Sequence, residues 1–509
     1  MTGTFHDDMA AGYGFTGPTI RLGRPYAVPA EPDTAVEVAI PLRFVNRHGL
    51  IAGATGTGKT RTLQLIAEQV SAAGCPVFAA DMKGDLAGLG AAGATDDRIA
   101  ARASELVDAW APASCPVELL SLTGTDGVAV RATVTEFGPT LLAKVLSLND
   151  TQESSLSLVF RFCDQTALPL IDLEDLRAAL AYLTGPGKAD LKTLGGISSA
   201  TAGVLLREVS QLEAEGGDIF FGEPAFEVSD LLRIAPDGRG IVSVLNLADV
   251  ARRPALFSTF LMWVLAELFE RLPEVGDPEK PTLVFFFDEA HLLFDGASKA
   301  FLDSVAQTVR LIRSKGVGVF FITQLPTDLP DEVLAQLGHR VQHAVRAFTP
   351  KDARALASAV ETFPITEHYA LAETLQSLGV GEAAVTVLDP RGVPTPVAAT
   401  RLYAPRSRMT PLSVDEREAI IAASPLGPRY ADRLDRESAA ELLEARAAGD
   451  AERAEEVRER PRPTPPPRRR EPPADATLAD QVQGMLGSSV ARQVTREVVR
   501  GIFGMLRRS

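Results

Sequence analysis

The octapeptide Gly53-Ala54-Thr55-Gly56-Thr57-Gly58-Lys59-Thr60 limits what this chain can fold into more than any other stretch. It follows the apolar pair Leu50-Ile51 and precedes Leu63, Ile66, Ala67 and Val70, which recur at helical spacing. Glycines let the backbone curl so that successive N–H groups point inward at a polyphosphate. A helix starting where the loop ends adds the positive end of its dipole. Lys59 then reaches the β- and γ-phosphates as a point charge, and the Thr60 hydroxyl takes one coordination position on Mg²⁺. Gly53 to Thr60, with Arg61 behind them, are the expected nucleotide-binding residues.

Pro76-Val77-Phe78-Ala79-Ala80-Asp81 is an apolar run closing on an acid, and strand, helix, strand at this spacing is a parallel βαβ unit. Asp81 either positions Mg²⁺ or the attacking water, or caps the turn that follows. A second strong signal is Thr282 to Phe287 followed by Asp288-Glu289-Ala290-His291. An apolar strand buried on both faces delivers two carboxylates to its carboxyl end. Asp288 would complete the Mg²⁺ shell with Thr60, and Glu289 would orient and deprotonate water. His291 would either couple to the phosphate or merely pack. A further strand, Gly316 to Thr323, ends in Gln324, where a γ-phosphate sensor would stand. A guanidinium from a neighbouring subunit would complete such a site; Arg313 is the first candidate, with Arg310, Arg340 and Arg346 behind it.

These signals divide the chain into a lead-in of one or two short strands (1–48) and the first part of an ATPase core (49–137). A helical insertion (138–235) separates it from the second part of the core (236–410). Leu141, Leu142, Val145 and Leu146, then Leu156, Val159 and Phe160, then Leu176, Leu180 and Leu183, and Val204 to Leu212 carry the insertion's helical period. Its closing stretch, Ile219-Phe220-Phe221-Gly222-Glu223-Pro224-Ala225-Phe226, either holds a partner or lines a channel, or, the favoured reading, docks the insertion onto the core. A charged helical segment (411–459), a Pro/Arg-rich linker (460–477) and an amphipathic helix (478–509) with Val482, Leu486, Val490 and Val494 four apart complete the chain. The fold class expected is α/β with a mostly parallel sheet, a helical insertion and a tethered C-terminal helix.

A net charge of -15 excludes a simple DNA-coating protein; any DNA contact must come from a local patch or a lined channel. No window offers about 18 uninterrupted apolar residues, so no transmembrane segment is expected and the protein reads as cytoplasmic. Cys75, Cys115 and Cys163 lie far apart and fit buried thiols in a reducing compartment. His339 and His343 sit at i, i+4 with no carboxylate or cysteine in step, which argues against a metal site.

Phosphate loop, Asp81-x-x-Gly84-Asp85, Asp288-Glu289-Ala290-His291 and Arg313-Ser314-Lys315-Gly316-Val317-Gly318 with Thr323-Gln324 occur in this order. In this the chain resembles the HerA/FtsK superfamily of DNA-translocating ATPases. It is most similar to the HerA-like bacterial proteins, which share the Phe-Phe-Gly-Glu-Pro stretch and the Arg401 to Met409 segment. The resemblance spans about residues 45–410 and the final helix. It implies a RecA-like P-loop NTPase core, a homo-oligomeric ring of six, ATP and Mg²⁺ at the subunit junctions, and helicase or translocase action on DNA in the pore. By position Lys59, Thr60, Asp288, Glu289 and Gln324 match the nucleotide-site residues, and Arg313 matches the trans-acting finger. It also allows a nuclease or other protein partner, although the segment before the loop is too short for the full barrel that docks the nuclease in archaeal members. The alternative is a ring ATPase acting on a protein or a membrane surface, favoured by the acidity and the tethered helix.

Overall fold

In the computed structural model, which describes residues 4–28, 30–193, 195–248, 254–276, 278–294 and 299–459, the sheet is built from twelve strands. They are β1 (Thr19–Pro25), β2 (Val38–Pro41), β3 (Gly49–Ala52), β4 (Val77–Asp81), β5 (Val117–Ser121), β6 (Val128–Ala129), β7 (Val242–Asn246), β8 (Leu283–Phe287), β9 (Val317–Thr323), β10 (His339–Gln342), β11 (Glu382–Thr386) and β12 (Ala398–Leu402). Their order is β2-β1-β12-β11-β10-β3-β9-β8-β4-β7-β5-β6. From β10 to β6 neighbouring strands run parallel, and from β10 to β2 they are antiparallel.

A parallel sheet covered on both faces needs strands that are apolar throughout. β8 meets that demand with Phe285, Phe286 and Phe287, each at most 1% exposed. Their rings pack on Phe78, Phe320 and Phe321, with centroids 4.6, 5.3 and 5.3 Å apart. The helix Lys59–Ala72 lays Leu63, Ile66, Ala67 and Val70 into the core. Its other side is covered by Arg406 to Arg408: buried Glu68 accepts from the Arg406 and Ser407 N–H groups at 2.9 and 3.1 Å. Residues Arg406 to Arg408 are therefore a brace over the phosphate-loop helix.

The first forty residues extend the sheet through β1 and β2, as the sequence suggests. They also hold a helix, Phe5–Tyr13, that it does not suggest. This helix is short, capped by Thr4, and buries only Met9 and Tyr13, too few apolar residues to show a period.

Between β6 and β7 the chain is helical: Val134–Val145, Asp150–Gln165, Leu173–Thr184, Lys188–Thr193 and Ser199–Leu212. Side-chain caps by Thr133, Asn149, Asp172 and Ser198 start four of them. Phe220, Phe221 and Phe226 are buried, with Phe220 against Phe260 at 5.4 Å, so the aromatic stretch docks inward as expected. A strap missing from the sequence reading holds it there. Buried Tyr430 donates to Asp230 at 2.7 Å and accepts the Glu227 N–H, while Arg433 donates to the Phe221 carbonyl at 2.8 Å.

Residues 1–440 form one unit and 441–509 another. The latter is described only as the continuation of the helix Ala439–Glu459. The linker 460–477 and the amphipathic helix 478–509 expected from sequence lie outside the described residues.

Candidate active site

β3, β9 and β8 are adjacent and parallel, with Ala52 level with Thr323 and Phe321 level with Phe287. This register brings the phosphate loop, Gln324 and the Asp288-Glu289 pair to one edge, the carboxyl edge where ligands of such sheets bind. Gly53, Gly56 and Gly58 adopt φ of 150, 78 and 120°, and a Cβ on Gly53 would meet the His343 Cβ at 2.5 Å. Glycine is required there on both counts. Neighbouring strands hold the loop: Gly53 N–H donates to the Gln324 carbonyl and Ala54 N–H to the Ala344 carbonyl, at 3.0 and 2.9 Å.

Lys59 donates to the carbonyls of Gly53 and Ala54 at 2.7 and 3.3 Å, so its charge rests on neutral acceptors. Burial lowers its pKa, opposed by the charge of Glu289. Thr60 follows in the first helical turn, and Arg61 donates to Gln64 at 2.8 Å. Asp288 is 6% exposed; one oxygen accepts the Glu289 N–H at 3.0 Å and the other, Oδ2, is buried with no hydrogen-bond partner. Burial, then the neighbouring Glu289, pushes its carboxyl up to about 7. A divalent cation at Oδ2 would satisfy the oxygen and reverse that shift. Thr60 and Asp288 thus fit a Mg²⁺ shell by chemistry and placement. Glu289 has φ 50°, and His291 Nδ1 lies 3.5 Å from its Oε2.

Asp81, for which the sequence left two roles open, spends both oxygens on its own turn. Oδ1 accepts from Lys83 and Gly84 at 3.1 and 2.8 Å, and Oδ2 from Leu86 at 2.9 Å. It is a cap. Sequence reasoning missed two neighbours of the site. Lys83 ion-pairs with Glu289, a contact that depends on β4 lying beside β8. His343 Nε2 sits 2.9 Å from the Thr62 hydroxyl, directly under the loop. His339 instead bonds the Phe44 carbonyl at 2.7 Å, so the two histidines serve separate contacts, one to a side chain and one to the backbone.

Arg313, Arg310 and Arg340 are not at this edge. With Arg47 and His48 they line a cavity of about 580 Å³ at the amino ends of β3, β9 and β10, and no carboxylate lines it. β9 is seven residues long, roughly 23 Å at the usual rise. No arginine side chain spans that length, so Arg313 and Arg310 cannot serve the phosphate loop of their own chain, and Arg340, within β10, turns its guanidinium to the Leu334 carbonyl at 3.3 Å. Arg346 lies beyond the carboxyl end of β10 and is exposed.

Fold and site together define a RecA-like P-loop NTPase. More narrowly, the chain belongs to the helicase HerA-like C-terminal family, whose model matches residues 27–509. Among solved structures it is similar to the bacterial conjugative coupling protein TrwBΔN70 in a trigonal form with sulphate, at 16% identity and TM-score 0.50, covering 79% of this chain and 99% of that one. TrwB with ADP and Mg²⁺ matches at 17% identity and TM-score 0.49 over 78% and 98% of the two chains. VirB4 of Thermoanaerobacter pseudethanolicus matches at 16% and 0.45 over 79% and 99%. At such identities the likeness is one of fold. A search of curated protein sequences gives no significant match. No helix among the described residues is long and apolar enough to cross a membrane.

Proposed function

We propose that the protein is a Mg²⁺-dependent ATPase that works as a ring of six subunits and converts hydrolysis into movement along or unwinding of duplex DNA. The observation that carries the ATPase reading is the pair of buried oxygens that accept no hydrogen bond, Asp288 Oδ2 and Glu289 Oε2, just after the strand next but one to that of the phosphate loop. Mg²⁺, held by Thr60 and Asp288, supplies charge neutralisation on the phosphoryl oxygens. The loop N–H groups and Lys59 bind the phosphates. Glu289 orients the attacking water and takes its proton, and Gln324 reports the γ-phosphate. The ring is supported by the position of Arg313: a finger at the amino edge of the sheet can act only on a neighbour's nucleotide.

DNA as the track is inferred from the family. A net charge of -15 favours a second reading, in which the ring acts on a protein partner or a membrane surface. Steady-state ATP hydrolysis with and without long duplex DNA, at low and moderate salt, separates the two. A motor gripping phosphates is stimulated by DNA, and the stimulation weakens as salt rises. A rate indifferent to DNA removes the translocase reading and leaves the ATPase standing. Glu289→Gln that hydrolyses as fast as the parent removes Glu289 as the base, and a parent that does not hydrolyse ATP removes the ATPase assignment itself.

A further inference from the structure

The carboxylate expected to take the proton from water is already engaged. Lys83 Nζ pairs with Glu289 Oε1, and the other oxygen, Oε2, is buried and holds no hydrogen bond. The lysine is delivered by architecture. β4 runs beside β8 with Ala80 level with Phe287, so the turn after β4 opens next to Asp288 and Glu289. Asp81 locks that turn through the N–H groups of Lys83, Gly84 and Leu86, and Gly84 supplies the left-handed φ of 79°.

Lys83 is 49% exposed while Glu289 is 13% exposed, so the ammonium stands on the crevice side of the pair. Lys83 is near enough for its charge to help lower the Lys59 pKa, and both residues follow strands of the parallel sheet at its carboxyl edge, where the outer phosphates of a nucleotide would lie. The charged groups around the pair are Lys59, Asp81, Asp85, Asp288 and His291. The two lysines differ in what they hold: Lys59 rests on carbonyls, whereas Lys83 occupies the oxygen that hydrolysis needs.

We propose that Lys83 is a positioning residue that exchanges partners when a nucleoside triphosphate binds: its ammonium leaves Glu289 Oε1 for the terminal phosphate, freeing that oxygen to receive the water's proton. A diphosphate brings no anion to that point, so Glu289 stays clamped. The exchange makes release of the base conditional on the γ-phosphate. It rests on the nucleotide-site reading given above.

The test compares the full-length parent, Lys83→Met and Lys83→Arg by calorimetric titration with ATPγS and with ADP, each with Mg²⁺, alongside steady-state ATP hydrolysis. Lys83→Met weakens ATPγS about tenfold, the loss expected for one charge-assisted contact, leaves ADP within about twofold, and lowers kcat. Lys83→Arg, which keeps the charge, recovers most of the ATPγS affinity. Equal losses for both nucleotides, or none, reduce Lys83 to a structural neighbour and overturn the exchange. A faster kcat in Lys83→Met with unchanged ATPγS affinity shows a plain brake and overturns it too. A parent that neither binds nor hydrolyses ATP brings down the nucleotide-site reading with it, whereas an active parent and an unchanged ATPγS-to-ADP ratio sink the Lys83 inference alone.

Discussion

Gly53 and Gln324 are joined main chain to main chain, the Gly53 N–H donating to the Gln324 carbonyl at 3.0 Å. The bond ties the first residue of the phosphate loop to the residue just after β9, and it leaves the exposed Gln324 amide to the crevice. Gln324→Ala therefore preserves the loop and removes only the amide. Its kcat should fall about 10²-fold, the usual cost of one transition-state donor, with KM changed less than about threefold. Steady-state kinetics check this, and a rise in KM matching the loss in kcat would place the amide in ground-state binding instead.

Asp288 is a destabilised carboxylate kept for a purpose. Its carboxyl lies near 7 in the fold against 3.8 ordinarily, so stability from this group is present at low pH and is lost as pH rises through that interval. Asp288→Asn should raise the stability of the nucleotide-free protein at pH 8 by about 2–4 kcal/mol while abolishing hydrolysis. Denaturant melts read the first effect. A variant that is both inactive and less stable would show that the carboxylate is already satisfied in the free protein.

The arginine-lined cavity demands a partner subunit if it has a catalytic role. Lys59→Ala and Arg313→Ala subunits should each be inactive alone. Mixed under ring-forming conditions they should recover roughly a fifth of parental turnover or more, because some junctions pair an intact loop with an intact finger. Absence of recovery in mixed rings would exclude Arg313 and turn attention to Arg340.

His48, His339 and His343 are fully buried, and burial lowers each from 6.5 to about 4. They are neutral in the fold, while the unfolded chain binds protons below 6.5. Their stability is thus whole above that pH and is lost as pH falls through about 4, up to about 3 kcal/mol for each. Thermal melts should drop steeply across this window. His343→Asn, which relieves one buried imidazole beneath the loop, should flatten the slope, and an unchanged slope would clear His343 of any part in it.

Much of the site was readable because its chemistry is local. A phosphate loop must carry its glycines, lysine and threonine in one run, and the strand that delivers Asp288 and Glu289 must be apolar on both faces. Both demands are written in consecutive residues. The long helices between β6 and β7 were equally visible, since their apolar period is a short-range pattern. The helix Phe5–Tyr13 was not, because two buried side chains make no stripe.

What only the tertiary structure decided depends on which strand lies beside which. Asp81 could have faced Mg²⁺ until its three N–H donors were seen to consume it. Lys83 is 206 residues from Glu289, and they meet because β4 was inserted next to β8. Arg313 lies only eleven positions before Gln324, yet β9 carries them to opposite edges of the sheet. The sequence alone picks out the groups proposed to hold phosphate and activate water, since each sits at the end of its own strand. Strand order and direction decide which of them meet within one subunit and which can act only on a neighbour, because sheet pairing is a long-range choice that no local run of residues encodes.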